Sequence, residues 1–482
     1  MKRNLISVAL VNVCLFAVAQ EVNDFPANIP LFNIVTEDGV MPSATIVTPP
    51  ENGVGISIKS EHVPGRMTIS LDNASAYDSG DYLKGESGMR IKIRGNSTGA
   101  NLNQHPYKIK LSKKADIITY GNDYKNKNWA LLSMRTWNSV LKNEESNIQT
   151  ITGLAVCRAL DFLWTPRTRF ANVVINDKYQ GLYHLIETVE KDKKRIKIDD
   201  SGFIIENDAF WWNENGEYFK TAHLPEYMGY TFKYPEYDEM TDDERLAIKD
   251  YMDNVENALF TQKGIENYID YTSFARWILA HDILGSNDVA GSNMFIYKET
   301  FGSDAPYDSK LMMGTPWDFD SSFKIDDTSW SGQHTSDVFY YPQLFKDEKF
   351  RKEYKRLYDE KINSVYPYVE NCLNELKNNY GVAFEQSIIL HRKVYENECL
   401  NSLDDQIDDM LNHLKTRLAS LENLMKEFET ESNISDVMTK NSALVKRVNI
   451  AGCDFTNVCQ TSLPAGVYVE TFTDGTTRKI YK

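Results

Sequence analysis

The chain of 482 residues holds only six cysteines and eight histidines. It has no paired CxxC motif and no HExxH motif, so a zinc site has little support. His184, His281 and His334 are scattered, without metal-ligand spacing and without an identifiable Ser/Asp triad. Past the first twenty residues no apolar run approaches the roughly 18 to 20 residues of a membrane-spanning helix. Solenoid repeats and low-complexity linkers are absent. Positive charge is in deficit, with 53 Lys and Arg against 69 Asp and Glu and a formal net charge of −16, which disfavours general nucleic-acid binding.

What is present begins with a leader. Lys2 and Arg3 precede an apolar stretch from Leu5 to Val18, and Ala17-Val18-Ala19 forms a small-residue cleavage site before Gln20. Val11, Asn12 and Val13 precede Cys14 where a lipoprotein signal would carry a Leu-small-small run, so type I cleavage is expected. The mature chain is expected outside the cytoplasm, in the periplasm or at the cell surface. Its remaining cysteines are Cys157, Cys372, Cys399, Cys453 and Cys459. An odd number leaves at least one unpaired or intermolecular. Cys372 with Cys399 could cross-link two helices and Cys453 with Cys459 could staple a small terminal unit, and the sequence establishes neither pairing. Cys157 lies in an apolar stretch that suits a buried structural thiol.

The expected fold class is α+β. Residues 20–205 carry short alternating segments broken by Gly, Asn and Asp, among them Met89 to Arg94, Tyr107 to Leu111, Phe170 to Ile175 and Gly181 to Ile186. These predict a largely antiparallel sheet with one helical insertion near Ser146 to Leu163. Residues 206–430 are expected to be mostly helical, with helices over Asp242 to Phe260, Ile269 to Leu284, Lys346 to Asn378 and Ala383 to Phe428, and a break around Asn397 to Asp404. Residues 434–482 form a separate small β tail with a hairpin turn at Asp474-Gly475.

Two regions carry chemistry. Between Lys84 and Lys114 stand eight Lys or Arg and one acid, Glu86, in an otherwise acidic chain. A period of two places Arg90, Lys92 and Arg94 on one strand face and Lys108 with Lys110 on one face of the next. Beside the turn Arg94-Gly95-Asn96-Ser97-Thr98 these form either an anion cradle or a solvent-facing lysine surface that keeps a sheet edge soluble. Downstream, Asp288 and Asn293 are followed by Pro316-Trp317-Asp318-Phe319-Asp320. A carboxylate, an amide oxygen and a second carboxylate can place a hydroxyl nucleophile and hold a divalent metal against nucleotide phosphates, although the same residues also build ordinary turns. Glu187 and Glu206 each end an apolar strand-like run. Glu187 suits pairing with a phosphate-binding lysine, while Glu206 reads as an exposed strand end.

In this order, Ile93-Arg94-Gly95-Asn96-Ser97-Thr98, Pro106 to Leu111, Asn128-Trp129-Ala130-Leu131-Leu132, Pro166-Arg167-Thr168-Arg169, Tyr179 to Tyr183, Glu187, Asn287-Asp288 to Asn293 and Pro316 to Asp320 resemble the CotH kinase family. The resemblance spans residues 28 to 430. It implies an atypical protein-kinase-like two-lobe fold, a mostly β N-lobe and a helical C-lobe with ATP between them, and phosphorylation of secreted proteins. It makes Lys110 a contact to ATP phosphates with Glu187 as its ion-pair partner, Arg94 and Ser97 nucleotide contacts, Asp288 the base, and Asn293, Asp318 and Asp320 the residues around Mg²⁺ or Mn²⁺. One departure is Lys142 in Leu141-Lys142-Asn143, where members usually carry Arg, which removes a planar two-bond fork. The tail, through Leu463 to Tyr468 and Lys479 to Lys482, resembles the C-terminal β-domain of Bacteroidetes secreted proteins. That implies type IX secretion or surface attachment, or a β-module with no export role.

The reading is a secreted kinase transferring the ATP γ-phosphoryl group to Ser or Thr of extracytoplasmic proteins. Two alternatives remain open at this stage: transfer of AMP from the same site, and a non-catalytic surface adhesin or scaffold presenting Phe210-Trp211-Trp212 and Phe339-Tyr340-Tyr341.

Overall fold

The computed structural model describes residues 25–101, 103–134, 148–214, 216–286, 289–302, 309–320, 322–323, 339–395, 401–438, 444–449, 453–458, 463–472 and 477–481. The expected leader, Asp288, Lys142, His334, Cys399, Cys459 and the expected turn at Asp474-Gly475 lie outside them. The chain divides into two compact units, Met1–Ala419 and Ser420–Lys482.

In the first unit the strands are β1 (Leu31–Thr36), β2 (Thr45–Val47), β3 (Ser57–Lys59), β4 (Val63–Leu71), β5 (Ala74–Asp78), β6 (Met89–Ile93), β7 (Tyr107–Ala115), β8 (Asn126–Ser133), β9 (Thr168–Ile175) and β10 (Lys178–Glu187). Hydrogen bonding runs β1-β9-β10-β8-β7-β6-β4, and β4 pairs back onto β1 to close a seven-stranded barrel with β5 appended. All pairings are antiparallel except β1 with β9. The alternation expected for β6 and β7 sends Met89, Ile91, Ile93, Tyr107, Ile109 and Leu111 inward, where they meet Trp129, Val173, Tyr183 and Leu185. Each such side chain contributes about 1.5 to 3 kcal/mol on leaving water, and the even-numbered cations are thereby forced onto the outer face.

Helix α1 (Ser97–Asn101) is a single turn after β6, and α2 (Gln149–Ala159) is the helical insertion. The region after residue 205 carries the long helices and, beyond the expectation, strands as well. It holds a second sheet of β11 (Phe203–Asp208), β12 (Tyr218–Phe219), β13 (Gly229–Tyr234), β14 (Met294–Lys298) and β15 (Leu311–Met313), in the order β12-β13-β11-β14-β15. Every residue of β14 is buried, so its strand has no polar alternation to betray it.

Helix α3 (Asp242–Thr261) opens on a capping box between Thr241 and Glu244. Helix α4 (Tyr271–Leu284) opens on Asp270, whose carboxylate accepts from the Ser273 amide at 2.7 Å, and stops at Gly285 in the left-handed region. After the short α5 (Tyr341–Leu344), α6 (Glu348–Val394) runs unbroken through the interval between Asn378 and Ala383 where an interruption was expected. Gly381 costs that helix about 1 kcal/mol. Burial of Val369, Leu373, Phe384 and Ile388 on one face outweighs it. Helix α6 packs on α2, α4 and β10, and α7 (Leu403–Met438) follows. No helix among the described residues is long and apolar enough to cross a membrane.

The second unit holds an antiparallel sheet of β16 (Leu444–Asn449), β17 (Val467–Phe472) and β18 (Thr477–Tyr481). Buried Glu470 is clamped by Arg447 at 2.5 Å and Arg478 at 2.7 Å. Cys157, Cys372 and Cys453 are free thiols. Burial raises the pKa of Cys157 well above that of an ordinary thiol, which keeps it inert.

Candidate active site

A cleft of about 540 Å³ opens between the outer face of the barrel and the second sheet. Lys92, Arg94, the Gly95–Thr98 turn and Lys108 line one wall. Glu206, Lys233, Asn293, Asp318 and Asp320 line the other. Gly95 turns the chain out of β6 at φ +86°.

The second wall is built by three neighbouring pieces of backbone. Once Gly285 has ended α4, the chain returns toward β11, where Gly291 N–H donates to Asn207 Oδ1 at 2.7 Å and Ala209 N–H donates to Gly291 O at 2.5 Å. Gly291 has φ +82°, and a Cβ there would stand 3.2 Å from Met228 Cε, so glycine suits the position. Two residues on, Asn293 takes φ +56°, a region its short amide tolerates, and its N–H donates to Glu206 Oε1 at 3.1 Å. Glu206 also holds Lys233 Nζ at 2.9 Å from the adjacent strand.

After β15, Asp318 adopts φ +54°. Phe319 is fully buried, its ring 5.7 Å from that of His281 and hard against Gly153 of α2, while its neighbours Asp318 and Asp320 face the cleft. The buried phenyl therefore anchors the two carboxylates.

Charge in the cleft is densely coupled. Burial raises the Asp318 pKa, opposed by Arg94 and by a hydrogen bond from the Asp320 backbone. Burial lowers that of Arg94, against the pull of Asp318, Glu206 and Asp320, and its guanidinium lies 5.3 Å from the Trp317 ring centre. For Lys233, burial is outweighed by Glu206, Asp208 and Glu214, which carry its pKa above that of an ordinary lysine. Asp208, behind the wall, is pushed up to about 7 by burial and by Glu206. Burial lowers Lys108, with Glu190 opposing.

Of the residues expected at the site, Arg94, Ser97, Asn293, Asp318 and Asp320 are brought together here, and Asp288 lies outside the described residues. The expected ion pair of Lys110 with Glu187 is not formed. Glu187 is buried and held by Arg167, whose Nη2 and Nε reach Oε1 at 2.7 and 3.0 Å while its backbone N–H reaches Oε2 at 2.9 Å. A planar guanidinium at the start of the adjacent strand β9 offers better geometry than a lysine two strands away on the barrel's outer face. Lys108 takes the place nearest the cleft. Its β7 position lies opposite Lys92, one residue from the Ile93–Tyr107 pair, whereas Lys110 lies opposite Arg90 and further out.

Sequence reasoning missed Lys233 and read Glu206 as an exposed strand end. The pairing of β11 with β13 joins them, and neither strand carries a local signal for that register. Lys108 was within reach, because counting outward from the Arg94 turn favours the first lysine of Tyr107-Lys108-Ile109-Lys110.

A wall of cations facing amide and carboxylate oxygens is the equipment of a protein that engages phosphate together with a divalent metal. The family model described as CotH kinase protein matches residues 91–421, and the chain belongs to that family, with the kinase-like function this carries. No curated protein matches the sequence.

Proposed function

We propose that the protein is a secreted, metal-dependent kinase that transfers the γ-phosphoryl group of ATP to Ser or Thr of extracytoplasmic proteins, working as a two-lobed machine with the barrel as N-lobe. The observation that carries the reading is the convergence of Lys92, Arg94 and Lys108 with Asn293, Asp318 and Asp320 in one cleft. The leader-like N-terminus supports export, and the terminal sheet is a candidate surface or sorting module.

Asn293, Asp318 and Asp320 would hold Mg²⁺ or Mn²⁺. All three offer hard oxygen donors, which fits those ions. No group of three or more His, Cys, Asp or Glu side chains among the described residues is gathered tightly enough to hold an ion alone. That suits a cation completed by substrate phosphates, where it would neutralise charge on the transferring group. Lys92 and Lys108 would bind phosphate oxygens, Lys108 taking the role the resemblance gives to Lys110. Arg94, braced on Trp317, would keep the Asp318 carboxylate charged against burial. Asp288, five residues before Asn293 in the sequence, would accept the proton of the attacking hydroxyl. Little covalent chemistry falls to the protein, so positioning and charge supply the rate.

Of the two aromatic segments the adhesin alternative would present, Phe339-Tyr340-Tyr341 is buried. The test is transfer from γ- and α-labelled ATP by residues 20–482 with Mg²⁺ or Mn²⁺, for wild type, Asp288→Asn and Asp318→Asn. Metal-dependent γ-label incorporation that falls at least about a hundredfold in both folded variants is expected, the scale of losing one positioned charge-stabilising group. Incorporation of α-label would replace the reading with AMP transfer, and an active Asp318→Asn protein would sink the metal assignment.

A further inference from the structure

On the outer face of the barrel, β6 and β7 place like charges directly opposite one another. Lys92 faces Lys108, and Arg90 faces Lys110. Cross-strand pairs of one sign destabilise a sheet, and opposite charges usually relieve them. Here relief is slight: Glu190 bears on Lys108, and among the described residues no carboxylate lies within ion-pair distance of Arg90, Lys92 or Lys110. All four cations are half-buried. His62, one residue before the Val63–Ile91 pair, has a buried Nδ1 without a hydrogen-bond partner. Burial and then Lys92, Arg90, Lys108 and Lys110 lower its pKa to about 4. The field is therefore felt as one patch on an otherwise acidic chain.

Lys92 and Lys108 line the cleft, whereas Arg90 and Lys110 continue the face beyond it. Strand geometry separates the two rows by about 7 Å, and adjacent strands by about 4.8 Å. That is room for two or three anionic groups, too small for the extended footprint of a nucleic acid. An extended peptide repeats its side chains on one face every second residue, again about 7 Å apart.

We propose that the Arg90–Lys110 row is the acceptor-docking site of the kinase, recognising an acidic segment of the protein substrate with carboxylates at alternate positions near the phosphorylated hydroxyl. It rests on the kinase reading for its location and on the unrelieved charge for its chemistry. One carboxylate meets Arg90 and Lys110. The acceptor Ser or Thr then reaches into the cleft past Lys92, and salt weakens the contact because the row is half-exposed.

The experiment has two arms. Binding of a labelled peptide with Glu at alternate positions around one Ser, against the same peptide with Gln, is measured on nucleotide-free protein by fluorescence anisotropy at low and high salt. Wild type is expected to prefer the Glu peptide, and Arg90→Thr to weaken it about tenfold, the scale of one charge-assisted contact. In the transfer assay, Arg90→Thr is expected to raise KM for the Glu peptide by a similar factor while KM for ATP stays within about twofold. Lys110→Thr supplies an independent variant should Arg90→Thr misfold. Equal affinity for the Glu and Gln peptides overturns the proposal and leaves the kinase reading standing. A rise in KM for ATP in either variant also overturns it, by assigning the row to the nucleotide. Selective Glu-peptide binding without phosphate transfer sustains the docking site and counts against the kinase.

Discussion

Removing the Glu187 carboxylate separates a structural role from a nucleotide role. The side chain is 2% exposed, and Arg167, 23% exposed, closes on it. Three Arg167 donors reach its oxygens between 2.7 and 3.0 Å. Breaking a buried pair by deleting one partner costs about 3 to 5 kcal/mol. Arg167 keeps Asp116 at 3.3 Å and the Tyr124 ring at 4.0 Å, so the lower end applies, about 3 kcal/mol for Glu187→Ala. Glu187→Gln keeps one carbonyl acceptor and should lose about 1 to 2 kcal/mol. With an unfolding entropy of about 2 cal/mol/K per residue over the unit ending at Ala419, Glu187→Ala lowers its melting midpoint by about 4 °C. Denaturant titration of both variants measures the losses, with ATP affinity taken well below the midpoint. Unchanged stability combined with collapsed ATP affinity would refute the reasoning and return Glu187 to the nucleotide-binding lysine.

Other perturbations probe the anchor and the interior. In Gly153→Ala the new Cβ would stand 2.5 Å from Phe319 Cγ, so the phenyl must move and carry Asp318 and Asp320 with it. A displacement near 1 Å is expected to cost about a hundredfold in transfer rate even though alanine favours the helix by about 1 kcal/mol, and kinetics beside a melting curve check both halves. His413 is 3% exposed, both ring nitrogens lack partners, and burial with Arg417 lowers its pKa from 6.5 to about 4. Between those values the unfolded chain binds a proton that the folded chain refuses, so stability falls as pH drops through this window. His413→Leu should remove about 2 kcal/mol of the difference between pH 7 and pH 5, and an unchanged pH slope in denaturant titrations would contradict it.

The legible parts of this chain were those with local periodicity. The strands bearing Met89 to Ile93 and Tyr107 to Leu111 alternate cleanly, and the helical periodicity of Asp242 to Phe260 and Ile269 to Leu284 marks their helices. Barrel closure was not legible, since it depends on Leu31 lying parallel to Asn172, a pairing no local pattern announces. The second sheet escaped because β12 and β15 span two and three residues and β14 is buried on both faces. At the site, Asn293, Asp318 and Asp320 were readable from residue type and order. Glu206 with Lys233 was not, because their approach depends on a register shifted by an irregularity between Ile204 and Ile205. Glu187 shows the limit of residue type as a guide: a carboxylate at a strand end accepts whichever cation the fold delivers, and here it was an arginine.

Closure through β1 also has a kinetic side. The strand is made before its second partner β9, so its parallel edge stays bare until the chain has been made beyond Ile175. Loop closure over that distance is slow compared with hairpin formation, and an uncapped edge is a template for pairing with another chain. Deleting β1 would leave β4 and β9 with open edges on a persistently unfinished barrel. The hazard of the first strand is therefore one of timing, and a chaperone that shields residues 31–36 during synthesis would protect the whole molecule.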